Sequence, residues 1–342
     1  MQPHRIMSSE VARVLLVQQF LVVLLTFMTS TASAQENTSD PVDSEPEQVL
    51  VTGEQPGPRL WKVTHDEHVL WIMGALSPLP KKMSWRSREV ERVIAASQQV
   101  LLGMNVETDV GFFTKVTLLP SLMTVRKNPD KKRLADVVPP ETYARWQRIK
   151  PRYLGKEDDV ESWRPIFAAQ KLYSAAIEKS GLVGRQPWIE DIRKLAKQQK
   201  VPVVTPTIEV DIEKPRAALK EFKRSPLDDV ECFQRTLERV ENDVETMRLR
   251  ANAWATGDVE TLQQLPYADV LNACANAVLS TASAQKQGLQ DLPQRLRDTW
   301  VNAAEAALLK NSSTLAVVPI DEVLKEDGWV AALVARGYAL EE

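Results

Sequence analysis

Ser77, Asp321 and Glu322 are the side chains of this 342-residue chain whose type and place could do chemistry. Ser77 closes the tetrad Gly74-Ala75-Leu76-Ser77, which follows an apolar run, Val69 to Met73, and precedes a helical stretch opening near Ser84-Trp85. A turn between a strand and a helix is where α/β proteins commonly hold a site. Asp321 and Glu322 follow a second apolar run, Thr314 to Val318, in the same way. One hydroxyl and two carboxylates could offer oxygen ligands to Ca²⁺, Mg²⁺ or Mn²⁺. The competing use is structural, since acids at a strand-to-helix turn cap the helix. Ser77 as a nucleophile would need a base, and the nearest amines, Lys81 and Lys82, have the setting of solvated turn residues.

Histidine and cysteine narrow the options further. Of three histidines, His4 lies in the leader; His65 and His68 flank Asp66-Glu67 in what reads as a hairpin turn, where they could bind a metal or simply face water. The two cysteines, Cys232 and Cys274, fall in helical stretches and could form a disulfide or stay as two buried thiols; geometry decides. Nine tryptophans against five tyrosines invite a sugar-stacking reading. Trp61, Trp71, Trp163, Trp254 and Trp300, however, lie in periodic apolar runs that suit core packing, which leaves Trp85 as the candidate ligand platform.

The elements that must position these residues alternate between strand and helix. Leu60–Val63 and Val69–Met73 predict a hairpin, Trp85 to Ser97 a helix capped by Ser84, and Gln99 to Val106 a buried strand. Helices are expected over 111–123, 140–149, 165–180 and 187–199, followed by a strand at Val201–Val204. A long helix is predicted from Ser225 without interruption to Ala255, stopped by Gly257, with Asp258 capping the next one. Further helices at 267–279 and 292–309 lead to a strand at 314–318, a helix over 328–336 and a short strand at 337–340. The fold class is α/β: a small central β-sheet with a β-hairpin and a large helical insert.

Arg5 and Arg13 flank an apolar run from Val14 to Met28, and Thr31-Ala32-Ser33-Ala34-Gln35 ends it with small residues. This pattern predicts a signal peptide over 1–34, cut between Ala34 and Gln35. The competing reading is a retained membrane anchor, for which the run is short. Residues 35–58 read as a disordered acidic linker in which Val49-Leu50-Val51 could add a short strand. Residues 1–34 hold two bases and one acid, residues 35–60 one base and six acids, so 40 bases and 39 acids remain over 61–342. That balance excludes a basic stripe for nucleic acid, and no later run is long enough to span a membrane. The expected place is outside the cell, and the periplasm if the source has two membranes.

The pieces from Leu60 to Leu340 resemble the TraB/GumN family, which is related to Tiki-type metalloproteases. Leu60-Trp61-Lys62-Val63 resembles its opening strand, and Gly74 to Pro80 its Gly-x-x-His turn. Leu134 to Pro139, Trp163-Arg164-Pro165 and Trp254-Ala255-Thr256-Gly257-Asp258 are similar to its middle landmarks, and Asp327-Gly328 through Gly337-Tyr338 to its end. The resemblance implies a single domain over 59–342 with a ChaN/EreA/Tiki-like arrangement, and it implies chemistry that this chain lacks. Ser77 stands where the family has its first His, Gly103 where an acid is usual on the next strand, and Glu322 where the second His would be. Thr207 falls near a further acid, and Leu296-Arg297 replaces an Arg-Asn pair. The vestigial site is then Gly74, Ser77, Trp85, Gly103, Asp321 and Glu322.

These residues predict an exported pseudoenzyme, a binding or regulatory protein of the envelope whose partner is a peptide, a glycan of polysaccharide-related processes or an envelope protein, with no cofactor. The alternative is a metal-dependent hydrolase or peptidase with a site rearranged around Ser77, Asp321 and Glu322.

Overall fold

Trp61 and Val63 alternate with Lys62 and Thr64 beside the apolar run Leu70 to Met73, a pattern suited to a hairpin with one buried face. A computed structural model describes residues 56–341 apart from 84, 86, 87, 185, 186 and 266–269. The leader, the linker as far as residue 55, the strand expected at Val49–Val51, the Ser84 cap and the first residues of the helix expected at 267–279 lie outside the described residues.

The hairpin forms from β1 (Leu60–His65) and β2 (His68–Ala75), with His65 opposite His68. Its turn needs a left-handed residue, which Asp66 supplies at φ 51°. Introduced in chain order, the other strands are β3 (Leu79–Pro80), β4 (Gln99–Leu101), β5 (Asn105–Thr108), β6 (Leu182–Val183), β7 (Val203–Val204), β8 (Thr207–Val210), β9 (Ser313–Pro319) and β10 (Ala339–Glu341). Six of them make one mixed sheet in the order β10-β1-β2-β9-β4-β7. β2, β9, β4 and β7 run parallel, whereas β1 pairs antiparallel with both β2 and β10. The β9 run is almost wholly buried, as a central parallel strand covered on both faces requires. β3 pairs with β6 and β5 with β8 in two small ladders.

The molecule is thus mixed α/β, a six-stranded sheet with many helices, and among the described residues two large apolar clusters and two small ones stabilise it. One large cluster surrounds the sheet and includes Leu70, Ile72, Val100, Trp188, Trp254, Trp300 and Leu315. The other large one is helical and includes Leu134, Trp146, Trp163, Leu172, Phe233 and Leu237. In the helical core the Trp146 Nε1 donates to Glu161 Oε1 at 2.9 Å, and Lys150 lies 3.0 Å from the same buried carboxylate.

Three expectations are corrected. The single strand expected over 99–106 divides into β4 and β5, with Gly103 at the break. The strand expected from Val201 is reduced to Val203–Val204. The unbroken 225–255 helix is two helices, Val230–Asn242 and Val244–Thr256, parted at Asp243. There the Asp243 carboxylate accepts from Arg250 at 3.0 and 2.9 Å and lies 3.6 Å from Arg239, all three residues being buried. The start also moves: Asp229 turns its carboxylate to the Ile166 N–H at 2.8 Å, so the helix opens at Val230. The Asp258 cap is present, accepting from the Thr261 N–H at 3.0 Å.

Cys232 and Cys274 are joined in a disulfide, with Cα atoms 4.6 Å apart and a sequence separation of 42 residues. It ties the Val270–Leu279 helix, of whose residues only Ala277 is buried, to the Val230–Asn242 helix. Closing a loop of this length removes about 4 kcal/mol of chain entropy from the unfolded state. Burying one alanine contributes well under that. The cross-link therefore anchors a helix with little fully buried surface of its own.

Candidate functional site

β2 and β9 end together, with Gly74 opposite Val318 and Ala75 opposite Pro319. Both chains leave the sheet at its carboxyl edge, where α/β sheets hold ligands. β9 passes directly into the short helix Ile320–Leu324, whose first residue packs over β2. Gly74 is the residue that permits this contact: a Cβ there would collide with the Ile320 side chain and come within 3.3 Å of its Cα. Gly103 follows β4 at the same edge, where an added Cβ would meet only the Val317 carbonyl oxygen at 3.8 Å.

Beneath the turn lie three indoles from three parts of the chain. Trp254 Nε1 donates to the Gly74 carbonyl at 2.6 Å and Trp188 Nε1 to the Leu76 carbonyl at 3.4 Å. Trp85 packs on Trp254 with ring centroids 6.3 Å apart, and its Nε1 donates to Asp191 Oδ2 at 3.3 Å. All three are buried, Trp85 to 4% exposure. A ring so enclosed offers no stacking face, so Trp85 is a wall of the core and not a platform for ligand. Trp188 had no signal in the sequence beyond its place in an apolar helical run.

The polar residues are all engaged by the scaffold. Ser77 Oγ donates to the Gly184 carbonyl at 3.0 Å, extending the β3–β6 ladder by one contact; a cis peptide joins Ser77 to Pro78. Asp321 and Glu322 occupy the first turn of their helix, and the Lys325 ammonium lies 3.0 Å from Asp321 Oδ2 and 3.5 Å from Glu322 Oε1. The chain then reverses so tightly that a Cβ on Gly328 would collide with the Glu322 carbonyl. Burial pushes the Glu322 carboxyl above its ordinary range; Lys325 pulls it back and Asp321 adds to the rise.

These residues do not fit a divalent cation. Lys325 takes the place between the carboxylates that a cation would occupy, and the Ser77 hydroxyl faces another carbonyl. Among the described residues no group of three or more His, Cys, Asp or Glu is placed to hold a metal ion. His65 packs edge-on against Tyr338 at 5.4 Å, and His68 Nδ1 meets the Leu308 carbonyl at 2.8 Å, so the two imidazoles serve different contacts. Lys81 and Lys82 are exposed. Thr207 begins β8, opposite Asn105, and Arg297 donates to Gln294 within its own helix at 2.8 Å. Register thus gathers Gly74, Ser77, Gly103, Asp321 and Glu322 at one sheet edge, while Thr207 and Arg297 belong to neighbouring elements.

An α/β protein with two strand-to-helix turns meeting at the carboxyl edge of a mixed sheet is the class these features define. Residues 59–342 match the TraB/PrgY/gumN family, and the chain belongs to that family. No curated protein and no solved structure matches it.

Proposed function

We propose that this chain is an exported, non-catalytic member of its family, a binding or regulatory protein of the cell envelope with a Tiki-like arrangement of one domain over 59–342. The observation that carries this reading is Lys325 between Asp321 and Glu322, an ammonium where a metal-dependent site would need an open cation position. The 1–34 leader pattern and the Cys232–Cys274 disulfide support export to an oxidising compartment, the periplasm in a double-membraned cell. The ligand class is a peptide, a glycan or another envelope protein.

A second reading keeps one observation in its favour. The upward shift of the Glu322 carboxyl is a property of general acids, and it suits a hydrolase rearranged around Ser77, Asp321 and Glu322. Metal analysis of the purified mature protein separates the two. Metal-free protein that retains a peptide or glycan ligand is the expected result. Stoichiometric metal that is lost in Glu322→Ala would overturn it in favour of the hydrolase. Amino-terminal sequencing of the exported protein should begin at Gln35; a retained leader would refute the cleaved form.

A further inference from the structure

The Pro215–Arg224 helix contains no buried residue. Several of its ties to neighbouring helices are polar. Arg216 donates to Thr117 Oγ1 at 2.9 Å and Lys223 to Thr124 Oγ1 at 2.6 Å, both on the Phe112–Val125 helix. Ser283 donates to the Ala218 carbonyl at 3.1 Å, and Lys286 pairs with Glu221. At its carboxyl end the Phe222 and Lys223 carbonyls accept from one nitrogen of Arg164, at 3.2 and 2.7 Å. A cation at this end also complements the helix dipole. An open surface depression of about 520 Å³ runs along Ala217, Lys220, Glu221, Arg224, Ser225 and Pro226.

Arg164 and Asp229 are each 2% exposed and share this junction. Asp229 accepts from the Ile166 N–H, and Arg164 precedes the same Pro165–Lys179 helix. The Arg164 Nε has no hydrogen-bond partner, and Asp229 is the charged group that acts on this guanidinium. The two buried groups therefore influence one another across the junction while Arg164 donates to the Pro215–Arg224 helix.

We propose that the Pro215–Arg224 helix is a detachable lid on the Phe112–Val125 helix, latched by Arg164 and released when Arg164 turns from the Phe222 and Lys223 carbonyls to an ionised Asp229. The charged groups facing Asp229 are Arg164, from the start of the Pro165–Lys179 helix, and Asp228 beside it in the chain. From the lid, Lys223 faces the junction with its carbonyl while its ammonium is held by Thr124. Glu231, on the helix that follows Asp229, lies 3.5 Å from Arg235. Burial raises the Asp229 carboxyl to about 6 in the latched form, against the Ile166 hydrogen bond and Arg164, which lower it. Because that form holds the proton more tightly, latching is fully favoured below the ordinary carboxylate range and is lost as pH rises through about 6.

Hydrogen exchange of the full mature chain at about pH 4.5 and about pH 7.5, corrected for intrinsic rates, tests the lid. Lid amides should lose protection by about tenfold at the higher pH while β2 and β9 keep theirs. Asp229→Asn, whose amide oxygen can still accept from Ile166, should hold the lid at both pH values. Arg216→Ala should loosen the lid at both while preserving the pH step, which keeps the test open if Asp229→Asn fails to fold. A pH step that survives Asp229→Asn, or one shared equally by the core strands, overturns the proposal.

Discussion

Trp254 and Gly74, 180 residues apart, meet in a 2.6 Å hydrogen bond from the indole Nε1 to the carbonyl oxygen. The bond ties the end of the Val244–Thr256 helix to the turn at the carboxyl edge of the sheet. Trp254→Phe keeps most of the buried ring area and removes the donor. The loss should be about 1–3 kcal/mol, the usual effect of stripping a partner from a buried polar group. Urea denaturation measures it, and an unchanged midpoint would show that the bond contributes nothing.

Gly74 makes a complementary prediction, because its missing Cβ is the room Ile320 occupies. Gly74→Ala should destabilise by about 1–3 kcal/mol through overpacking. Ile320→Ala removes the colliding atoms, so the double variant should be less destabilised than the two single changes predict together. A double-mutant cycle reads that coupling. Additive effects would mean that the clash is relieved by movement elsewhere.

Much of this scaffold was legible in the sequence because its period is short and its landmarks are local. The hairpin, the Asp258 cap and the parallel run of β9 follow from alternation, capping chemistry and a bounded apolar stretch. The division at Asp243 was not legible: no Gly or Pro marks it, and the Arg239 and Arg250 side chains that meet the Asp243 carboxylate lie four and seven residues away, a pattern equally at home in one unbroken helix. β3 and β6 are two residues each and exist only as partners of one another. At the candidate site, Ser77 and Glu322 stand just after strand-like apolar runs, whereas Gly103 was named only through the family resemblance. That Trp85 is walled in by Trp254, or that Lys325 fills the space between two acids, required the fold.

The disulfide should matter locally before it matters globally. Replacing Cys232 and Cys274 with serine removes a cross-link over 42 residues and should lower stability by about 4 kcal/mol. With only Ala277 of its residues buried, the Val270–Leu279 helix should lose amide protection first, while β2 and β9 retain theirs. Equal loss across the sheet would assign the cysteines to the global core instead.

Glu322 permits a test of the charge arrangement that decides between the two functional readings. Its carboxyl is raised chiefly by burial, with Lys325 opposing and Asp321 reinforcing the rise. Carboxyl-carbon NMR titration should therefore place it above an ordinary glutamate. Asp321→Asn should lower it, and Lys325→Met should raise it further by removing the cation. The sign for stability follows from linkage: a carboxyl raised on folding contributes most below its unfolded value, and that contribution is lost as pH rises through the folded one. Glu322→Gln should accordingly flatten the loss of stability with rising pH, measured by urea denaturation in the Asp229→Asn background so that the two buried acids are read separately. If Lys325→Met leaves the Glu322 titration in place, the ammonium is not the cation holding these carboxylates, and the strongest structural objection to a metal between them disappears.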